Sequence, residues 1–204
     1  MNVYLLSMAR PSQRHLILDA ALACFAERGY DATRVQHIAD RAGVSNGALY
    51  RHFASKEALA QQLFAQALET LTGPMAAAAQ SSAPVPERLR SCVQAVLDAY
   101  RSAPQAATFA LLRQHSLMPE LPAGTVVPIT ILERLVREGQ ATGEVRDGDP
   151  KLLAAIAAGC VIRPLIVSQL AAPGSFDPLH QTEHDQTIRD ATWAALARPA
   201  GDRS

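Results

Sequence analysis

The stretch that most constrains the fold is 32–56, reading ATRVQHIADRAGVSNGALYRHFASK. Val35, Ile38, Ala39 and Ala42 recur at i, i+3, i+4 and i+7, the spacing of an amphipathic helix with one buried face. Gly43 follows, where a helix ends most easily because glycine adopts the left-handed conformation without steric cost. Ser45 can accept hydrogen bonds from the free amides of a second helix, expected at about Asn46–His52. Two short helices across a turn containing glycine make a helix-turn-helix. The second helix is too polar for a core: Asn46, Tyr50, Arg51 and His52 lie on it, and only Leu49 clearly aims inward. A helix of that kind suits the DNA major groove.

Across 14–59 the sequence resembles the DNA-binding domain of the TetR family of bacterial one-component regulators. The matching residues are Ile17, Ala20, Ala21 and Phe25, then Gly29-Tyr30, Thr33 and Ile38-Ala39. After these come Ala42-Gly43-Val44-Ser45, Gly47, Leu49-Tyr50, His52-Phe53, Ser55-Lys56-Glu57 and Leu59. The resemblance implies an all-α protein with an N-terminal three-helix DNA-binding domain and a C-terminal helical ligand-binding and dimerisation domain. It also implies double-stranded DNA with a palindromic operator as partner, and a homodimer built through the last two helices. By the same resemblance Thr33, Tyr50, His52 and Lys56 fall at phosphate-contacting positions, although Tyr50 could instead pack against the first helix. Base contacts are expected from Gln36, Asn46, Ala48 and Arg51. Amides pair with adenine, arginine with guanine, and an alanine methyl meets the thymine methyl. Gly47 would let the backbone approach closely, and Gln36 is equally well read as a solvated residue.

Charge is compatible with this division of labour. The 204 residues balance at zero, yet 1–56 carries seven Lys/Arg against four acids and the remainder twelve against fifteen. A basic end on an acidic body fits a nucleic-acid partner at one end, although an imbalance of three charges is small. Cys24, Cys92 and Cys160 are far apart and form no C-x-x-C pair, which reads as reduced thiols in a cytoplasmic protein; redox sensing by one of them is the alternative. Residues 1–14 lack a basic leader, and their apolar run is short for a signal peptide. The longest apolar run, 152–162, reads as a buried helix rather than a membrane span.

Helix 1 is expected over 12–28 with Leu16, Ile17, Ala20, Ala21, Cys24 and Phe25 inward, and Thr33 is expected to start helix 2 with a free hydroxyl. A fourth helix should begin at Ser55 and break or bend at Gly73-Pro74 before a Pro-rich stretch to Pro86. The domains are placed at 10–58 and 59–198, with that helix shared. Five further helices follow, the one over 149–170 kinked or broken at Pro164. A helix apolar all round needs cover on every side, which a second subunit would supply.

The resemblance implies a small-molecule effector site in the body. Its candidate wall is Tyr100, Phe109, Leu112, Arg113, His115, Met118, Ile131, Cys160 and Arg163, some of them ordinary core. Arg163 either binds an anionic ligand or pairs with an acid across the dimer. The expected function is a ligand-responsive repressor released by a hydrophobic or amphipathic molecule, with an activator or ligand-independent binder as the alternative. No cofactor or bound metal is expected. His180, Glu183 and His184 match H-x-x-E-H, a zinc-peptidase pattern, but sit beside Pro178 with no clear third ligand, so a metal-dependent hydrolase is a remote reading.

Overall fold

A computed structural model describes residues 12–170 and 182–199. The chain is all-α: among the described residues there are nine α-helices, one 3₁₀ turn at Met118–Glu120, and no strand beyond an isolated antiparallel bridge joining Val145 and Ala197. It divides into two compact units between Leu63 and Phe64.

The first unit contains α1 (Gln13–Arg28), α2 (Val35–Ala42), α3 (Asn46–His52) and the start of α4 (Lys56–Ala79). Ser12 caps α1 by accepting from the His15 amide at 3.3 Å. The core face of α1 is the expected one at Ile17, Ala20, Ala21, Cys24 and Phe25, but Leu16 is 41% exposed and Leu18 is buried in its place. Gly43 closes α2 at φ 67°, ψ 33°, the left-handed region that disfavours any residue with a Cβ. Ser45 Oγ then accepts from the Ala48 amide at 3.1 Å to open α3.

The second unit holds the rest of α4, then α5 (Val85–Ser102), α6 (Pro104–Leu117), α7 (Pro128–Ala141), α8 (Pro150–Leu170) and α9 (Glu183–Leu196). The expected break at Gly73-Pro74 does not occur, because α4 runs through Pro74 to Ala79. A proline in a helix costs one hydrogen bond and a steric clash. Here Met75 and Ala79 lie beyond it, buried in a cluster with Leu89, Cys92 and Leu132, and that burial offsets the loss. Likewise α8 continues past Pro164.

One face of α8 stays uncovered among the described residues. Its stretch Pro150–Val167 is apolar and long enough to cross a membrane by length and composition, yet only 28% of it is buried. Leu153, Ala154, Ala157, Val161 and Leu165 face inward, while Leu152, Ile156 and Val167 are exposed. Helix α8 packs against α7 and α9, with a smaller contact to α6.

Candidate nucleic-acid interface and effector cavity

The turn at 43–45 holds α3 with Leu49 fully buried and its polar side outward. Asn46, Gly47, Tyr50, Arg51 and His52 are all exposed, Tyr50 at 53%. An added Cβ at Gly47 would meet nothing nearer than Ser45 Oγ at 4.0 Å, so a ligand backbone could approach closely there. Asn46 Nδ2 donates to Gln36 Oε1, and Gln36 Nε2 donates to Asp40 Oδ1 at 2.6 Å. This relay fixes two of the expected base-reading amides to one another, a link that spacing along the chain did not reveal. His52 Nε2 lies 3.1 Å from Gln13 Oε1, tying the end of α3 to the start of α1.

Two residues expected on this surface are elsewhere. Ala48 is 5% exposed and faces the core beside Leu49, so its methyl is not available to a thymine. Thr33 is 1% exposed, and its hydroxyl donates toward Gly29 O at 2.7 Å and Cys24 O at 3.1 Å. It closes the C-terminal end of α1, where carbonyls lack helical partners, and it neither caps α2 nor reaches outward. The start of α2 is instead served by His37 Nδ1, which accepts from the Arg34 amide at 3.2 Å. Thr33→Val should therefore lower thermal stability by about 1–3 kcal/mol, the usual cost of leaving buried polar groups unsatisfied. DNA affinity of the protein that remains folded should be unchanged, and denaturation curves beside binding isotherms separate the two effects.

Lys56 is anchored rather than free. Its Nζ donates to Tyr30 O and Thr33 O, both at 3.0 Å, and lies 4.4 Å from the centroid of the Tyr30 ring. An ammonium has three donors, so one hydrogen remains for a phosphate, presented from a fixed position at the start of α4.

The second unit contains a cavity of about 550 Å³, within the range of small-molecule sites. Along α4 it is lined by Phe64, Leu68, Leu71 and Met75, a stripe at i, i+4, i+7 and i+11. Cys92 and Val96 of α5 and Leu132 of α7 add further apolar wall. Burial pushes the Cys92 thiol up to about 11, so it stays protonated and serves as apolar surface. Of the described residues in the wall, only Gln114 and Arg163 bring a polar side chain other than that thiol.

Few of the expected wall residues are in it. Met118 and Arg163 line the cavity. Tyr100 is buried in a neighbouring cluster with Leu97 and Leu165, its hydroxyl 3.1 Å from Thr108 Oγ1. Ile131 is core, Phe109 is buried away from the cavity, and Leu112 is 61% exposed on the outer side of α6. Arg113 and Cys160 are half-buried and outside the lining, and the His115 side chain lies outside the described residues. None of the α4 wall is among the expected residues: Phe64, Leu68 and Leu71 precede Gly73-Pro74, and their apolar stripe reads as core in sequence, while Met75 lies beyond the expected break.

Of the H-x-x-E-H residues, His180 lies outside the described residues, while Glu183 and His184 begin α9. Among the described residues no three His, Cys, Asp or Glu side chains converge as a metal-binding group.

Similarity to known proteins accords with this geometry. The family described as bacterial regulatory proteins, tetR family, matches residues 17–63. The HTH-type transcriptional repressor KstR2 of Mycobacterium tuberculosis H37Rv is 42% identical over 88 residues, 43% of this chain and 44% of that protein. The chain thus spans under half the length of that relative. The HTH-type transcriptional regulator RutR of Escherichia coli K12 is 30% identical over 151 residues, 72% of this chain and 71% of RutR. The chain belongs to the TetR family. A solved structure of the fatty acid degradation regulator FadR from Bacillus halodurans, 21% identical, superposes with a TM-score of 0.75 over 91% of this chain and 96% of that one, so the shared TetR fold extends through the body. Within that fold the first unit is the helix-turn-helix DNA-binding domain.

Proposed function

We propose that the protein is a cytoplasmic, homodimeric transcriptional repressor that binds a palindromic operator and is released by a small apolar or amphipathic effector. The observation that carries the DNA half of this reading is the exposed polar face of α3 over a fully buried Leu49. Its residues take two roles. Tyr50, His52 and Lys56 hold the phosphate backbone and set register; Asn46, Gln36 and Arg51 read base edges, with Gly47 allowing close approach. The uncovered stripe of α8, Leu152, Ile156 and Val167, is the face on which a second copy would pack, giving half-sites a fixed separation on the DNA. Effector binding need only favour a state with mis-spaced reading helices, and a coupling of about 1–3 kcal/mol is typical for that. Because α4 begins at Lys56 and also lines the cavity through Phe64 and Met75, it is the element through which occupancy would reach the DNA-binding domain.

The test is footprinting on the DNA flanking the protein's own gene, repeated with a panel of apolar compounds. Protection of a palindrome, lost with at least one compound, is the expected result; no protection even at low salt overturns the reading. Two variants divide the contacts further. Arg51→Ala should relax sequence preference by about 1–3 kcal/mol at one base pair. Lys56→Ala should weaken binding to all sequences alike and reduce the salt slope by about one. Fluorescence anisotropy across salt, with operator and scrambled duplexes, measures both.

A further inference from the structure

The cavity is polarised along its length. Phe64 to Met75 on α4 and Ala155 to Ile166 on α8 both line it, and each stretch covers roughly 16 Å at the rise of an α-helix. At one end, where α8 carries Ala154, Ala157 and Ala158, the wall merges into the buried cluster of Met75, Cys92 and Leu132. Arg163 stands two turns further along α8, and its side chain is exposed. It shares the wall with half-buried Gln114 from α6.

Among the described residues neither side chain is engaged by another. Helix α8 contains no acidic residue. Four acids of the body are paired elsewhere: Asp185 with Arg101, Asp190 with Arg90, Glu138 with Arg88 and Glu133 with Arg137. Among the described residues, Arg163 and Gln114 make no side-chain hydrogen bond or ion pair.

We infer that the effector is an amphiphilic monocarboxylate, its apolar body lying toward Met75, Cys92 and Leu132 and its carboxylate meeting Arg163 with Gln114. This rests on the reading of the cavity as the effector site and narrows it to one chemical class. An apolar wall selects an apolar body, because any polar group carried to the closed end would lose its water without gaining a partner. A single guanidinium offers a fork that matches the two oxygens of a carboxylate, and the Gln114 amide adds one donor. One cation balances one negative charge; a doubly ionised phosphate would call for more. Arg163 also interrupts the exposed stripe of Leu152, Ile156 and Val167. A second copy seated there would strip water from the guanidinium, and an unpaired buried charge is costly, so the ligand's carboxylate would relieve that cost.

The experiment uses the full-length protein and isothermal titration with dodecanoate and with its methyl ester at neutral pH, where the acid is ionised. The parent should bind the acid about tenfold to a hundredfold more tightly than the ester, the range for hydrogen bonds to charged groups. Arg163→Met should erase that preference while leaving ester binding in place, and sedimentation should show the parent's oligomeric state. Equal affinity for acid and ester in the parent overturns the inference. So does a preference that survives in Arg163→Met, or a variant whose only change is a weakened dimer, which would assign Arg163 to an acid of the second copy. Operator release measured in parallel separates this from the wider reading. If neutral compounds bind and release DNA, only the carboxylate class fails; if neither probe binds and no compound releases DNA, the effector cavity fails with it.

Discussion

Asp185→Asn should destabilise the second unit by about 3 kcal/mol at neutral pH, as expected when one member of a largely buried ion pair is removed. Asp185 is 5% exposed at the start of α9. Its carboxylate accepts from both Arg101 guanidinium nitrogens and from Gln94 Nε2 at 2.9 Å. Arg189 in turn donates to Gln94 Oε1 at 2.7 Å, so one charge organises the seam between α5 and α9. The asparagine keeps the shape and removes the charge, so the Arg101 guanidinium, its side chain 18% exposed, loses its buried carboxylate partner and keeps the exposed Asp98 at 3.4 Å. The pH dependence gives a second readout. Burial pushes the Asp185 carboxyl up, but hydrogen bonds from Arg101 and Gln94, with the Arg101 and Arg189 charges, outweigh it and hold the group below its ordinary value. Its folded-state pKa is therefore depressed, and its contribution is present above the unfolded value near ~3.9 and lost as pH falls through the lower folded value. Thermal melts of parent and variant should differ most at neutral pH and converge in acid. Melts that coincide at pH 7 would show that this network adds nothing.

Leu49→Ala should cost about 2–5 kcal/mol, the range for a fully buried leucine truncated to alanine. Domains carry only about 5–15 kcal/mol of net stability, and the first unit is small, so this loss should unfold much of it. Leu49 is the only fully buried side chain on α3, and it holds the polar face of that helix outward. Operator binding should disappear at assay temperature while most of the body's helical circular dichroism remains. Retention of full operator affinity would mean that α3 is held by something other than this contact.

The helix-turn-helix was legible because its determinants are local. Periodicity in Val35, Ile38 and Ala39, a glycine at the one left-handed position and a serine at the next cap depend on neighbours within four residues. Periodicity likewise gave five further helices, the observed α5 to α9, since each buries an apolar stripe whatever it packs against.

What the chain alone could not decide is which inward residue meets solid core and which meets the cavity. Tyr100 and Ile131 share their helices' apolar sides with Val96 and Leu132, yet only the latter two line the space. A stripe specifies an apolar neighbour but not whether atoms fill the gap opposite; that depends on how five helices from distant parts of the chain come together. The same limit explains Thr33 and Ala48. A hydroxyl before a helix and a methyl on a polar one look available in sequence, and only packing turns them toward the carbonyls ending α1 and toward the core. It explains α4 as well: glycine and proline oppose a helix locally, and the burial of Met75 and Ala79 beyond them overrides that preference. Local chemistry therefore determined where the exposed polar helix α3 begins and ends, and long-range burial decided which of its neighbours support it and where the body opens around its cavity.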